Sequence, residues 1–421
     1  MRKKHWLMMA MIMIISMIPF GANAQSTLID VGLYYGSNVA NNVTIYSDDT
    51  LMINGTAHSA RGDRLRIVAD REGAGLYNSG GLVYRSNYIE VSSTNGVVVL
   101  GNKPYRGRMN LTLTSGGVKV INTVDLEQYL YSVLPSEMSP SWHMEALKAQ
   151  AVASRSFVLA SLGGKHASDG FMVCDTTHCQ VYRGTSNEYA NTTRAADETS
   201  GLTLHYNGKV VSAYFSASNG GWVEDGADVW GGSSIAYIPS HQDIYDPETP
   251  YEKEMTTAEI ENRLSLYGIN IGKLTGVRIA QTSPSGLVTK LEFTGTAGTH
   301  VASNNVGQSI LGLRSQRFWL GGGKASVSVI GKNGTKTDND DLYILTPTEV
   351  YHTTSSISVM GATGVHTVTG GQSGHDGIYR IEGKGYGHGV GMSQYGARVM
   401  ADQEFNFRDI LWYYYRNATL E

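Results

Sequence analysis

The sequence predicts a β-rich α+β fold: sheets packed around one central helix at about residues 140–162, with an elongated groove. Three observations carry this expectation. Runs such as NGVVVLGNKPYRGRMNLTL and GVKVINTVDL alternate apolar and polar residues between Gly and Asn turn signals, the pattern of short strands. One segment breaks that pattern with apolar residues recurring at three and four. The 50 glycines among 421 residues follow no collagen period and no repeat, so they read as turns and close backbone approaches.

Taken in order, the chain opens with a targeting signal. Arg2, Lys3 and Lys4 precede an apolar run from about Trp6 to Ile18, followed by Pro19 and the small-residue triplet Ala22-Asn23-Ala24. This order predicts a secretory signal peptide over 1–24, cleaved after Ala24. The run falls short of the roughly 20 residues that span a bilayer. A retained anchor is the alternative, and membrane contact would come only with it. Residues 25–115 then read as an N-terminal β-rich region, and the mature chain is placed outside the cytoplasm.

Residues 116–324 hold the helix and the chemistry. In PSEMSPSWHMEALKAQAVASRSFVLASLGG, Ser139 reads as an N-cap, Pro140 as the first helical residue and Gly163-Gly164 as the stop. Ala146, Ala149, Ala153, Phe157 and Ala160 line one face, with small residues beside them, so the helix is expected to be buried and central. Glu137 is placed in the turn ahead of it, beside Leu134, Met138 and Trp142. A carboxyl desolvated there would have a raised pKa and serve as a general acid. The plain alternative is an acidic residue complementing the helix dipole. Asp125, Glu127 and Glu145 are the other acids nearby, and Glu145 reads as solvated.

The next stretch, HASDGFMVCDTTHCQVYRG, holds Cys174 and Cys179, the only 2 cysteines, together with His166 and His178. Outside the cytoplasm a disulfide closing so short a loop would stabilise by only about 2 kcal/mol. Two thiolates and two imidazoles also suit tetrahedral zinc. Spacing alone leaves disulfide, metal site and free thiols open.

Residues 325–378 read as a polar β segment or insertion, whose His352, His366 and His375 have no ligand spacing. Residues 379–421 close the chain with GKGYGHGVGMSQYGA, in which glycine alternates with Lys384, Tyr386, His388 and Val390. No GK[ST] ending follows, so a phosphate loop is excluded. Either this is a bare strand packed under another element, or it lines a ligand with Tyr386, His388, Ser393 and Gln394. The stretch YFSASNGGWVEDGADVWGG, with Ser216, Ser218, Gly220 and Gly221, poses the same pair of readings. Net charge of −4 gives no basic footprint for nucleic acid, and a wall polymer or neutral glycan is the better partner class.

YLYSVLPSEM, EALKAQAVASRSF, CDTTHCQVYRG, YFSASNGG and GKGYGHGVGMSQYGA occur in the order found in the SpoIID/LytB family, which the chain resembles over about residues 28–415. SPSG at Ser283–Gly286 and LGLRSQRF at Leu311–Phe318 extend the likeness. The resemblance implies a lytic transglycosylase that cleaves MurNAc–GlcNAc bonds of peptidoglycan strands, favouring strands stripped of stem peptides, and leaves 1,6-anhydro ends. It puts the catalytic glutamate on Glu137 and a structural zinc on His166, Cys174, His178 and Cys179. The groove would then take a glycan strand, with Ser216, Ser218, Gly220, Gly221, Tyr386, His388, Ser393 and Gln394 as its lining. Leu287 and Gln308 stand where relatives often carry arginine. The alternative the resemblance leaves is a non-catalytic wall-binding module that recruits or stimulates an N-acetylmuramoyl-L-alanine amidase.

Overall fold

The computed structural model describes residues 27–58, 62–161, 164–321 and 377–421, together with the backbone of three hairpins between 327 and 368. The expected signal peptide over 1–24 lies outside them. The architecture is a β-rich α+β fold with several sheets and helices, as its strand and turn signals predict.

The N-terminal part, 28–125 with one strand from 173–174, is two sheets face to face. One has seven strands in the order 173–174, 28–34, 117–125, 108–114, 88–93, 51–53, 56–57. The other has six, in the order 103–106, 97–100, 43–46, 65–70, 73–78, 81–86. Along Leu28–Tyr34 and Gly117–Asp125, paired antiparallel from Leu28↔Asp125, alternate side chains turn inward. Ile29, Val31, Val118 and Val120 meet Ile45, Leu65, Ile67 and Leu76 of the other sheet in one core.

Eight helices follow in the described residues: α1 Leu126–Glu137, α2 Met144–Ala160, α3 Ala190–Glu198, α4 Gly226–Trp230, α5 Thr257–Leu266, α6 Val306–Leu311, α7 Gln394–Asp402 and α8 Phe407–Tyr414. The predicted central helix is α2, and it is shorter than 140–162. Ser139 and Pro140 instead form a turn, closed by Trp142 N–H donating to Ser139 O at 3.0 Å, and His143 becomes the N-cap. Leu162 and Gly163, the expected end, lie outside the described residues. From Ala146 to Val158 only Lys148 escapes burial. Ala146, Ala149 and Ala153 are small enough to let the C-terminal helices approach, and they share a second core with Met392, Ala397, Met400, Ile410 and Tyr414.

Arg155, 1% exposed on α2, is neutralised by Glu127 of α1 through a bidentate pair, Nε–Oε1 2.8 Å and Nη2–Oε2 2.6 Å. Its Nη1 also donates to Leu202 O at 3.0 Å. This fork fixes α1 against α2.

A third core lies under α5 and α6 and the sheets of 274–303 and 250–256/318–321/378–384. Between Gly321 and Gly377, the expected polar β segment forms three hairpins: 327–330 with 336–339, 342–345 with 350–353, and 357–361 with 364–368. The side chains of His352, His366 and His375 lie outside the described residues. No described helix is long and apolar enough to cross a membrane.

Candidate functional site

The segment expected to lead into the central helix as a turn is itself helical. Asp125 caps α1 by accepting from Glu127 N at 2.9 Å and Gln128 N at 3.2 Å, while Leu126, Tyr129, Leu130, Val133 and Leu134 bury one face. Pro135 lies in the last turn, where its missing N–H removes the bond to the Tyr131 carbonyl, and the helix ends two residues later. Glu137 is therefore the last residue of α1, not part of a turn ahead of α2's N-terminus. The helix dipole there is negative and disfavours a carboxylate, the opposite of the plain reading at the sequence level.

Glu137 keeps part of its surface exposed and is otherwise ringed by protein. Burial pushes it up to about 7, against donors from Gln394 and the Val181 backbone. Gln394 Nε2 stands 3.4 Å from Glu137 Oε2 and 3.3 Å from Gln150 Oε1. Trp142 and Tyr395, ring centroids 5.3 Å apart, lie on the segments that follow Glu137 and Gln394. Glu137 and Gln394 are 257 positions apart in sequence, and the α2–α7 packing brings them together.

The four predicted metal-ligating side chains also converge. One donor atom from each of His166, Cys174, His178 and Cys179 lies within 4.8 Å of all the others. His178 Nδ1 is 3.3 Å from His166 Nε2, 3.7 Å from Cys174 Sγ and 3.6 Å from Cys179 Sγ. The two sulfurs are unjoined. The outer nitrogen of His166, Nδ1, meets Asp169 Oδ2 at 2.9 Å, the carboxylate contact that orients a ligating imidazole. Cys174 is brought in by the parallel pairing of 173–174 with the strand 28–34. The cluster can hold a metal ion.

The two glycine-rich stretches pack on each other. Ser218 and Tyr386 exchange backbone bonds of 3.1 and 2.9 Å, and Phe215–Ser216 pairs in parallel with Met392–Ser393. Gly391, at φ +76°, lies so close to Tyr214 O that a Cβ would come within 2.0 Å of it. A Cβ on Gly220, φ +66°, would meet Lys384 O at 2.8 Å. Bareness here serves the approach of one backbone to another.

Beneath this crossing lies Asp246, which accepts from Ser218 Oγ (2.9 Å), Asn219 N (2.8 Å), Gly221 N (3.3 Å) and Ser393 Oγ (2.6 Å). Asp243 lies beside it, and burial with the Asp246 charge pushes its carboxyl up to about 6. Ser216, Ser218 and Ser393 are thus buried with internal partners, whereas Tyr386 on the outer side is 57% exposed. His388 Nδ1 accepts from Val390 N at 3.0 Å, and its ring stands 5.1 Å from that of Trp230. Burial drives its imidazole down to about 4, with a smaller push from Lys165, so it is neutral at pH 7.

Glu145, expected to be solvated, accepts from Phe407 N at 2.8 Å and pairs with Lys148 at 3.1 Å, so it anchors the start of α8. Leu287, in a position where arginine is common, is buried in the second core. Sequence reasoning missed Gln150, Asp243 and Asp246. The one available signal was Gln150 itself, a long polar side chain among the small residues of α2.

Comparison with known proteins adds kinship. The family model SpoIID, described as stage II sporulation protein, matches residues 114–206, a window that contains Glu137 and all four cluster residues. The amidase enhancer of Bacillus subtilis (strain 168) is 32% identical over 295 residues, covering 69% of this chain and 40% of that protein. Stage II sporulation protein D of the same organism is 29% identical over 317 residues, covering 71% of this chain and 75% of that one. An uncharacterized protein of Brachyspira hyodysenteriae (strain ATCC 49526 / WA1) is 27% identical over 360 residues, 85% of this chain and 82% of its own length. The match thus spans less than half of the amidase enhancer.

Proposed function

We propose that this chain, a member of the SpoIID family, is a secreted, wall-associated lytic transglycosylase that cleaves MurNAc–GlcNAc bonds in stripped glycan strands. The observation that carries this reading is the single desolvated carboxyl of Glu137, whose partners are an amide and a backbone N–H, with no second carboxylate among them. Hydrolases of glycosidic bonds ordinarily need two carboxyl groups at a set separation. A transglycosylase can work with one, because the substrate's own hydroxyl replaces water.

Glu137, protonated, gives its proton to the bridging oxygen as the bond from the MurNAc anomeric carbon breaks. The resulting carboxylate then takes the proton of the C6 hydroxyl as that oxygen bonds to the same carbon, closing the 1,6-anhydro ring. Proton count and charge balance without water, and the acid is regenerated. A pKa of about 7 suits a group that must do both steps near neutrality.

His166, Cys174, His178 and Cys179 are the residues that would hold zinc. Zinc bonds of about 2.0–2.1 Å to nitrogen and about 2.3 Å to sulfur imply tetrahedral edges of about 3.3 Å (N–N) and about 3.6 Å (N–S). The cluster's 3.3, 3.6 and 3.7 Å separations suit that ion. With four protein ligands a bound zinc has no open position and supplies rigidity to the loop, not an activated water. Tyr386, exposed on the glycine-rich crossing, is the lining residue best placed to meet a sugar.

The second reading is a wall-binding module that stimulates an N-acetylmuramoyl-L-alanine amidase, favoured by the name of the 32% identical relative. One experiment separates them: incubation of the mature protein with amidase-treated glycan strands, followed by mass spectrometry. Anhydro-ended fragments that vanish in Glu137→Gln support the enzyme. Their absence from wild type, with stimulation of an added amidase that Glu137→Gln retains, supports the module.

A further inference from the structure

Two buried amides stand in line behind the Glu137 carboxyl, and the reaction outlined above uses neither. Gln150 on α2 has no exposed surface, and its Nε2 donates to Ser154 Oγ at 3.0 Å, which leaves its Oε1 facing away as an acceptor. Gln394 opens α7. Its Nε2 has two protons, and two acceptors stand before it: Gln150 Oε1 at 3.3 Å and Glu137 Oε2 at 3.4 Å. The start of α7 is itself pinned, since Ser393 Oγ accepts from Gly396 N at 2.9 Å and donates to Asp246 Oδ2 at 2.6 Å.

An amide's orientation is decided by the hydrogen bonds around it. Turned end for end, Gln394 would aim its oxygen at Gln150 Oε1 in both charge states and, whenever Glu137 is ionised, at Glu137 Oε2 as well, leaving buried acceptors unpaired. Gln150 therefore sets Gln394, and Gln394 sets which Glu137 oxygen is always an acceptor. We infer that Gln150 and Gln394 form an amide relay that reserves Glu137 Oε2 as an acceptor in both charge states, so that the acidic proton leaves from and returns to Oε1. Both are positioning residues, and their effect on turnover rests on the reading of Glu137 as the acid.

Few groups compete with the relay for control of that carboxyl. Tyr129, buried on α1 and held well above its ordinary pKa by desolvation, feels the Glu137 charge. The Val181 backbone also lowers the pKa of that carboxyl, and no lysine, arginine or histidine contributes to the Glu137 shift.

The test is the protonation midpoint of Glu137 in the full mature chain, followed by carboxyl carbon-13 NMR and assigned by its absence in Glu137→Gln. In Gln394→Met, loss of a donor to the carboxylate disfavours the charged form, and the midpoint is expected to rise by about one pH unit. Gln150→Met should shift it in the same direction by less, and the double variant should go no further than Gln394→Met alone. Gln394→Asn, whose amide is withdrawn by one methylene, should repeat the shift and serves if the methionine variants do not fold.

Unchanged midpoints in folded variants, or shifts from the two sites that add in full, overturn the relay. The glycan assay is run alongside. Shifted midpoints in a protein whose wild type makes no anhydro ends leave the relay standing and remove the transglycosylase reading. Anhydro ends with unmoved midpoints do the reverse.

Discussion

The Val181 backbone draws down the pKa of the Glu137 carboxyl that burial raises, and Val181 stands two residues after Cys179 of the His–Cys cluster. Gln180, between them, is buried, accepting from Tyr129 OH at 3.1 Å and donating to Ser154 O at 3.4 Å. The segment from cluster to carboxyl is short and held along its length. Whatever fixes the cluster also fixes the backbone that acts on the candidate acid.

Metal removal should therefore be felt beyond the loop. Freshly purified protein is expected to carry about one zinc per chain by elemental analysis. A chelator, or Cys179→Ser, should lower both the metal content and the melting temperature by several degrees, and slow formation of anhydro ends. Metal-free protein lighter by two hydrogens would instead establish a disulfide.

Glu137→Gln should reduce anhydro-end formation by about a thousandfold, the scale of a lost general acid. Wild-type activity should fall as pH rises through about 7, where the acid loses its proton. A profile still climbing near pH 9 would point to another residue.

The same carboxyl predicts a stability effect with a definite sign. Its folded pKa of about 7 exceeds the ordinary value of 4.5, so the folded state holds the proton more tightly. Stability from this group is complete below about pH 4.5 and is lost as pH rises through 7. Chemical denaturation should find Glu137→Gln more stable than wild type by about 2 kcal/mol at pH 8, discounted for the exposed edge, and no more stable at pH 4.

Glycine substitutions distinguish crossing from turn. Gly391→Ala puts a Cβ 2.0 Å from Tyr214 O at a left-handed φ and should cost more than about 3 kcal/mol, or prevent folding. Gly36→Ala, at φ +60° with nothing within 4 Å, should cost only about 1 kcal/mol. Similar urea midpoints for the two would contradict the packed crossing.

Cutting Glu127 to alanine leaves the Arg155 guanidinium buried and unpaired, and should destabilise by about 3–5 kcal/mol. Equilibrium unfolding in low and high salt should give the same loss, because a buried pair is screened little.

The sequence made the β-rich class and the helix α2 readable through alternation and through the Ala-rich face, both local patterns. The four cluster residues were readable as ligand types. Helix α1 was hidden because Pro135 reads as a breaker, although Asp125 followed by Glu127 is an N-terminal signal. Ser139-Pro140 imitated a helix start that the structure places at His143. The hydroxyls of Ser216, Ser218 and Ser393 invite a ligand on paper, and only the fold shows Asp246 and the crossing backbone as their partners. Long-range partners such as Gln150 and Gln394 are set by packing between helices, which no short window contains.

The strand 318–321 pairs with 378–384, Gly321 facing Arg380, so the chain leaves and re-enters the fold at neighbouring positions. Length and sequence can drift there at little entropic cost, far along the chain from the contact between Glu137 and Gln394. An insertion joined at those two strands can be exchanged or fused to a cargo without disturbing that contact.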